Sequence, residues 1–259
     1  MKVIQVSKDI VLFQFEKTSN SLVGTNIVAI LNDNEYVLVD TGYEEHLAQV
    51  LVHLGVKKCK YVIQTHYHPD HIFGLHLLEN IVKIGSKYAV NTINEFGFEE
   101  DKKIFPDIIV NETKCLVFGK HTFKMHLNIG HSICGMLIDL NEEILFVGDD
   151  ILLTNEGEAI FPYLTLGNID KCIAAQRNVL KHGIGRIIIP GHGKPINNDS
   201  ILKTDIQNRI SYFNFLKKEK DIEEFEKKTK IHFLGKKSWH ENNVAKVSIE
   251  DIENRTNQK

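Results

Sequence analysis

Thr65-His66-Tyr67-His68-Pro69-Asp70-His71 is the stretch that decides how this chain reads. It runs directly on from Tyr61-Val62-Ile63, a short apolar run with the character of a buried strand. Four metal-type ligands, His66, His68, Asp70 and His71, fall within six residues. If the chain stays extended past Thr65, side-chain alternation sends His66 and His68 to the same side. Pro69 has no N–H for a sheet ladder and turns the chain. Asp70 and His71 then face back towards the same space from the start of a helix that carries Ile72 and Leu75. Sites of open α/β sheets gather outside the carboxyl ends of strands, and this stretch occupies such an end.

Working outward, further ligand types sit at other strand ends, each beside a glycine. Gly130-His131-Ser132 follows the strand expected over Thr122–Leu127. Gly148-Asp149-Asp150 follows the apolar run Ile144–Val147. His192 lies in Pro190-Gly191-His192-Gly193, after the β-branched run Arg186–Ile189. Glycine lets backbone tighten there and offer a side chain to a cleft. Five histidines and two aspartates are the inventory of a two-metal site. Asp150 is expected to be a turn residue or a helix cap. The remaining histidines (His46, His53, His76, His121, His126, His182, His232 and His240) read as ordinary surface or core residues, with His240 and its neighbour Trp239 not expected to cap the site.

The rest of the chain alternates strands and helices. Ile10–Phe15, Asn26–Leu31 and Tyr36–Val39 read as strands, the last two joined at Asn32-Asp33-Asn34-Glu35. Leu47, Val50, Leu51 and Leu54 mark one face of a helix over Glu44–Leu54, ended by Gly55. Strands are also expected at Cys115–Phe118 and Met136–Leu140, and a helix over Ile169–His182. From about Asp199, Ile206, Ile210 and Phe213 form a helical stripe, and Lys217–Lys230 reads as a solvated face laced with i, i+4 pairs. We expect one domain over residues 1–259, with a core of about 1–196 and a helical C-terminal extension over 197–259.

Composition narrows the function. The 259 residues carry 31 Lys+Arg against 34 Asp+Glu, a formal net charge of −3. No basic surplus exists to neutralise phosphates, which argues against a nucleic-acid partner. No long apolar leader follows Met1, and no run approaches the roughly 18 apolar residues of a spanning helix. A cytoplasmic location with no membrane partner is expected. Cys59, Cys115, Cys134 and Cys172 form no C-x-x-C pair and are expected to be reduced, buried small hydrophobes. Cys134 lies close to His131.

The motif series Thr-His-Tyr-His-Pro-Asp-His, Gly-His-Ser, Gly-Asp-Asp and Pro-Gly-His-Gly, with Val39-Asp40-Thr41-Gly42 ahead of it, resembles the metallo-β-lactamase fold superfamily over roughly Val3 to Pro195. The resemblance implies an α/β fold, an αββα sandwich of two mixed sheets flanked by helices, with metals at one edge. It implies that His66, His68 and His131 hold one metal, that Asp70, His71 and His192 hold a second, and that Asp149 bridges them. Imidazole and carboxylate donors suit Zn²⁺, with Fe²⁺ or Mn²⁺ as alternatives, at about 2.0–2.2 Å. Two divalent ions, two ionised aspartates and a bridging hydroxide leave a local charge of about +1. Such a site attracts a carbonyl oxygen and stabilises a developing oxyanion. Asp70, bound through one oxygen, has the other free to take and return a proton.

The implied activity is hydrolysis of an ester, thioester or lactone carbonyl of a small substrate. His68 departs from the flavodiiron members, which resemble this motif with Glu there. Asp149 sides with the glyoxalase-II-like and lactonase-like hydrolases rather than with true β-lactamases. Homoserine-lactone lactonases place a Tyr where this chain has Leu152. No basic glutathione-binding set is evident in the C-terminal region. The alternatives are a mononuclear iron persulfide dioxygenase, a phosphodiesterase and a non-catalytic metal-holding sensor. Tyr67, Phe73 and Tyr163 are the neighbours expected to touch substrate, with Phe73 standing where the family usually has Gly. Specificity is expected to reside in the loops Asn91–Phe105 and Thr154–Gly167.

Overall fold

The computed structural model describes residues 1–17, 23–165, 168–235 and 237–256, with residues 237 and 248–256 as backbone only. The chain opens with β1 (Lys2–Ser7), β2 (Ile10–Gln14), β3 (Asn26–Asn32) and β4 (Glu35–Val39). Next come α1 (Glu44–Leu54), β5 (Lys58–Ile63) and the short helix α2 (Pro69–Ile72), which continues as a 3₁₀ turn over Phe73–Leu77. Then follow β6 (Val82–Ser86), α3 (Ala89–Glu95), β7 (Ile108–Val110), β8 (Thr113–Phe118), β9 (His121–Leu127), β10 (Met136–Leu140) and β11 (Ile144–Leu152). The chain closes with α4 (Ile169–Gly183), β12 (Ile187–His192), α5 (Asp199–Leu216), α6 (Ile222–Thr229) and α7 (Lys237–Thr256).

Two sheets result. The first runs β1 to β7 in sequence order, the second β12-β11-β10-β9-β8. Both are mixed. β4 to β7 pair in parallel after an antiparallel start, and β11 pairs β12 in parallel beside antiparallel neighbours. Apolar residues on alternate faces explain the layering. Leu12, Val28, Val37 and Ile63 of the first sheet bury against Phe123, Met125, Ile138 and Phe146 of the second. Their neighbours Phe13, Ile27, Leu38 and Val62 turn outward, where Leu47 and Val50 of α1 and Ile93 of α3 cover them. On the far side, Leu145, Val147 and Ile188 pack against Val179 of α4 and Leu202 and Ile206 of α5. This is the expected αββα sandwich. Strands buried on both faces read as continuous apolar runs, as β2 does.

Beyond β12, an aromatic cluster of Tyr212, Phe213, Phe225 and Phe233 joins α5, α6 and the segment after it to α4. The stretch over 217–230 has one of its expected i, i+4 pairs, Lys228 with Glu224 at 3.0 Å, but it also buries Phe225. Cys134 and Cys172 are buried as expected, whereas Cys115 is exposed on β8. Among the described residues no helix is long and apolar enough to cross a membrane.

Candidate metal centre

Asp40 organises the first half of the site. It closes β4 with φ of 57°, a left-handed conformation that Asp tolerates better than most residues. Its Oδ1 accepts the Thr65 N–H at 2.7 Å and its Oδ2 accepts the Thr65 hydroxyl at 2.7 Å. The same Oδ2 accepts His71 Nδ1–H at 2.9 Å. Thr65 Oγ1, having given its proton to Asp40, accepts from His66 Nδ1 at 3.1 Å. Two ring orientations are thereby fixed from behind, with both Nε2 lone pairs turned inward. His68 is extended, with φ −78° and ψ 152°; the His66 and His68 rings both stand against His131, while Tyr67 alternates into the core on the other side.

That alternation corrects one expectation. Tyr67 is fully buried at 0 % exposure and belongs to the core under α1 and α3. It does not touch the cleft. A Cβ at Gly85 would lie 2.1 Å from its hydroxyl oxygen, so glycine makes the room it fills. Its N–H donates to Cys134 Sγ at 3.2 Å, which places Cys134 behind the ligand segment.

The second sheet supplies the remaining ligands. β11 does not end at Val147 as the apolar run suggested. It bulges at Gly148, φ 51°, and continues to Leu152. The bulge re-aims Asp149 into the site. Asp150 corrects another expectation, being neither turn residue nor helix cap. It is buried, with Oδ1 accepting the His131 N–H at 3.1 Å and Oδ2 accepting Asn128 Nδ2 at 2.6 Å. His131 Nδ1 donates to the Tyr163 carbonyl at 2.8 Å. His192 Nδ1 donates to the Gly24 carbonyl at 2.8 Å. Its loop is held by Gln14 and Asn26, whose amides each donate to the Gly193 carbonyl at 2.8 Å.

With the outer nitrogens of His66, His71, His131 and His192 satisfied, the inner ones converge. His66, His68, His131 and Asp149 form one group, and Asp70, His71 and His192 a second, the ligand atoms in each lying within 4.8 Å of one another. His131 Nε2 stands 3.1 Å from His68 Nδ1, and His71 Nε2 stands 3.3 Å from His192 Nε2. Asp149 reaches both groups: its Oδ1 lies 3.4 Å from His71, and its Oδ2 lies 3.3 Å from His192 and 3.6 Å from His131. His66 Nε2 and Asp149 Oδ1 are buried without a hydrogen-bond partner. Orphaned inward lone pairs of this kind fit a divalent cation. Space is tight as well. A Cβ at Gly191 would stand 2.5 Å from Asp149 Oδ1 and 2.6 Å from His71 Cε1.

Electrostatics divide the rings. Burial, reinforced by neighbouring rings, pushes His66 well below its ordinary value and His68 down to about 3. Burial opposes charge on His192 too, yet Asp149 and Asp70 outweigh it and hold that ring at about 10. Burial alone would raise Asp149, but His192, His71 and His66 hold it well below the usual carboxylate range. Positive charge is therefore favoured beside Asp149 and Asp70, on His71 and His192, while the His66 and His68 rings are held neutral. Asp70 is the most solvent-facing of the seven ligands, its side chain 27 % exposed.

Around this centre the other expected contacts distribute unevenly. Phe73 packs between Phe98, at 5.2 Å, and the His76 ring, at 5.7 Å. Tyr163 lies with its ring 6.1 Å from that of His131. Trp239 meets Tyr163 at 5.5 Å, while His240 turns away to the Tyr212 hydroxyl and the Lys220 carbonyl. Sequence reasoning left Asp40, Thr65 and Asp150 outside the site. The signal for Asp40 was an Asp-Thr-Gly directly closing a strand; for Asp150 it was a second carboxylate beside a ligand.

Comparison with solved structures places the architecture. The chain is similar to a DIM-1 metallo-beta-lactamase exposed to ceftazidime at 20 % identity, with a TM-score of 0.65, over 80 % of this chain and 94 % of that one. A metallo-beta-lactamase from Pontibacter korlensis gives 19 % identity and 0.64 over 80 % and 99 %. TMB-1 gives 19 % and 0.65 over 79 % and 95 %. At such identities the likeness is one of fold. The family model for the metallo-beta-lactamase superfamily matches residues 21–192. That span brackets all seven converging ligands, and the chain accordingly belongs to the metallo-beta-lactamase superfamily.

Proposed function

We propose that the protein is a metal-dependent hydrolase acting on an ester, thioester or lactone carbonyl of a small substrate, in the manner of the glyoxalase-II-like and lactonase-like members. The observation that carries this reading is Asp149, whose two oxygens reach both ligand groups. A carboxylate so placed suits a pair of divalent ions, for which Zn²⁺, Fe²⁺ and Mn²⁺ share the donor set. Bound there, such ions supply Lewis-acid polarisation of a carbonyl and acidify water.

The chain's own residues do the rest. Asp40, through His71 and Thr65, and Asp150, through the His131 backbone, keep the rings aimed before substrate arrives. Asp70, the most solvent-facing of the seven with its side chain 27 % exposed, is placed to pass a proton between water and a leaving group. The near balance of charge over the chain supports a small substrate rather than a polyanion.

Metal content together with an ester, thioester and lactone panel tests this. His68→Ala is expected to lower bound metal and to abolish hydrolysis. Full activity in that variant would overturn the site assignment. One iron per chain with thiol-dependent oxygen uptake would overturn the hydrolase reading, and turnover confined to bis(p-nitrophenyl) phosphate would overturn the carbonyl substrate.

A further inference from the structure

Two aromatic groups border the ligands His68 and His131. The Phe96 ring meets the His68 ring edge-on at 5.4 Å, and 41 % of Phe96 is exposed. Phe96 stacks on Phe98 with 7° between the planes, and Phe98 meets Phe73. Phe73 in turn meets Tyr43, which is itself 37 % exposed. Beside His131 stands Tyr163, backed by Trp239. The His68 and His131 rings are only 4.8 Å apart, so both aromatic groups border one ligand group. Exposed aromatic rings beside a cluster of convergent polar atoms are the composition of a ligand pocket, apolar walls with a few orienting groups. Phe96 caps the C-terminus of α3 and Tyr163 lies in the connection between β11 and α4, so both walls come from connections rather than from the sheets.

We infer that this border is an acyl subsite: it takes the apolar aliphatic or aromatic substituent of the carbonyl compound whose carbonyl faces the ligands. The carbonyl rests on the hydrolase reading above; the apolar substituent rests on the rings. Phe96 and Tyr163 are specificity-determining residues through direct contact with that substituent. A charged or sugar-like substituent would lose hydration against Phe96 with no donor from the ring to replace it. Each CH₂ laid against the rings tightens binding up to about fourfold.

Trp239 is the chain's sole tryptophan, and its contact with Tyr163 makes its emission a reporter of occupancy that needs no turnover. The zinc-loaded full chain is titrated with acetate, butyrate, hexanoate and phenylacetate, with calorimetry giving affinities where emission is silent. The dissociation constant is expected to fall at least tenfold from acetate to hexanoate. Phe96→Ala should remove most of that gain without changing acetate binding, and Phe96→Leu, which keeps apolar bulk, should retain the hexanoate preference. Equal affinity along the series in the unaltered protein, or a gain that survives Phe96→Ala intact, overturns the subsite. A thioester panel of matching chain lengths separates the two readings. Turnover without chain-length preference leaves the hydrolase and removes the subsite. Chain-length-dependent binding without turnover leaves the subsite and removes the hydrolase.

Discussion

Asp149 and Asp150 are adjacent in sequence and buried side by side, yet their environments assign them different work. Asp149 faces rings that favour its charge. Asp150 faces backbone and amide, and burial pushes its carboxyl up to about 6 despite the His131 N–H and the Asn128 amide it accepts. Its task is to hold the His131 loop. A Cβ at Gly130 would stand 2.5 Å from Asp150 Oδ1, so that loop lies directly against the carboxylate. Asp150→Ala is expected to strand two buried donors at about 1–3 kcal/mol each, lowering the melting temperature and weakening metal binding together. Asp150→Asn, which keeps one acceptor for His131, should recover part of both. Metal titration and thermal denaturation of the two variants check this; unchanged metal affinity in Asp150→Ala would refute the loop-holding role.

At the scale of elements, the wall that carries Phe96 is tied down away from the metal ligands. His76, in the 3₁₀ turn after α2, donates to Glu44 at the start of α1 at 2.9 Å and to Asp101 at 2.5 Å. Lys103 Nζ caps the His76 carbonyl at 3.2 Å, and Phe73 stacks on the ring. Burial opposes charge on His76, but Asp101 and Glu44 outweigh it and raise its pKa. A raised folded-state value means the contribution to stability is complete below the unfolded value of about 6.5 and is lost as pH rises through the folded value. The difference in melting temperature between the unaltered chain and His76→Ala should therefore shrink on going from pH 6 to pH 9. A pH-independent difference would contradict the ionic link.

A second tie lies beyond the ligand-bearing sheets. Arg209 of α5 is fully buried, paired with Asp205 through Nε at 2.6 Å and Nη2 at 3.2 Å, and it donates to the carbonyls of Leu152 and Ile160. It thereby fastens α5 to the end of β11. Asp205→Ala leaves that guanidinium without its carboxylate and is expected to cost about 3–5 kcal/mol. Replacing both residues by apolar ones should cost less. Chemical denaturation of the single and double variants decides, and a double variant less stable than Asp205→Ala would contradict the pairing argument.

Legibility differed among these elements for physical reasons. β2, β3 and β4 announced themselves through unbroken apolar runs, and β10 through a run broken only by Asp139. β1, half-exposed at the sheet edge, and the short β6 and β7 gave no comparable run and were not expected. The seven ligands were readable because four crowd into residues 66–71 directly after a buried strand and the other three each stand beside a glycine. Tyr67 was misread because a residue inside a motif need not share its face. Asp150 was misread because its partners come from residues 128 and 131, which only the sheet brings near it.

At the scale of the whole molecule, the ligands sit where the two sheets meet. An ion captured there fastens one sheet to the other, and binding to the folded state alone raises stability by mass action, by about 2.7 kcal/mol at a hundredfold excess over the dissociation constant. Added Zn²⁺ should raise the melting temperature by several degrees, chelation should reverse it, and His68→Ala should blunt the response. A melting temperature indifferent to zinc would remove the metal centre from this account.

The chain finishes all seven strands of its first sheet by Val110 before starting the second at Thr113. His66, His68, Asp70 and His71 belong to the earlier stretch, and His131, Asp149 and His192 to the later one. Each ligand group draws on both, so neither is complete in half a chain. Any affinity for metal would consequently be a property of docking rather than of local sequence. In a refolding experiment its appearance would time the meeting of two halves far apart along the chain, the step that loop-closure entropy makes late.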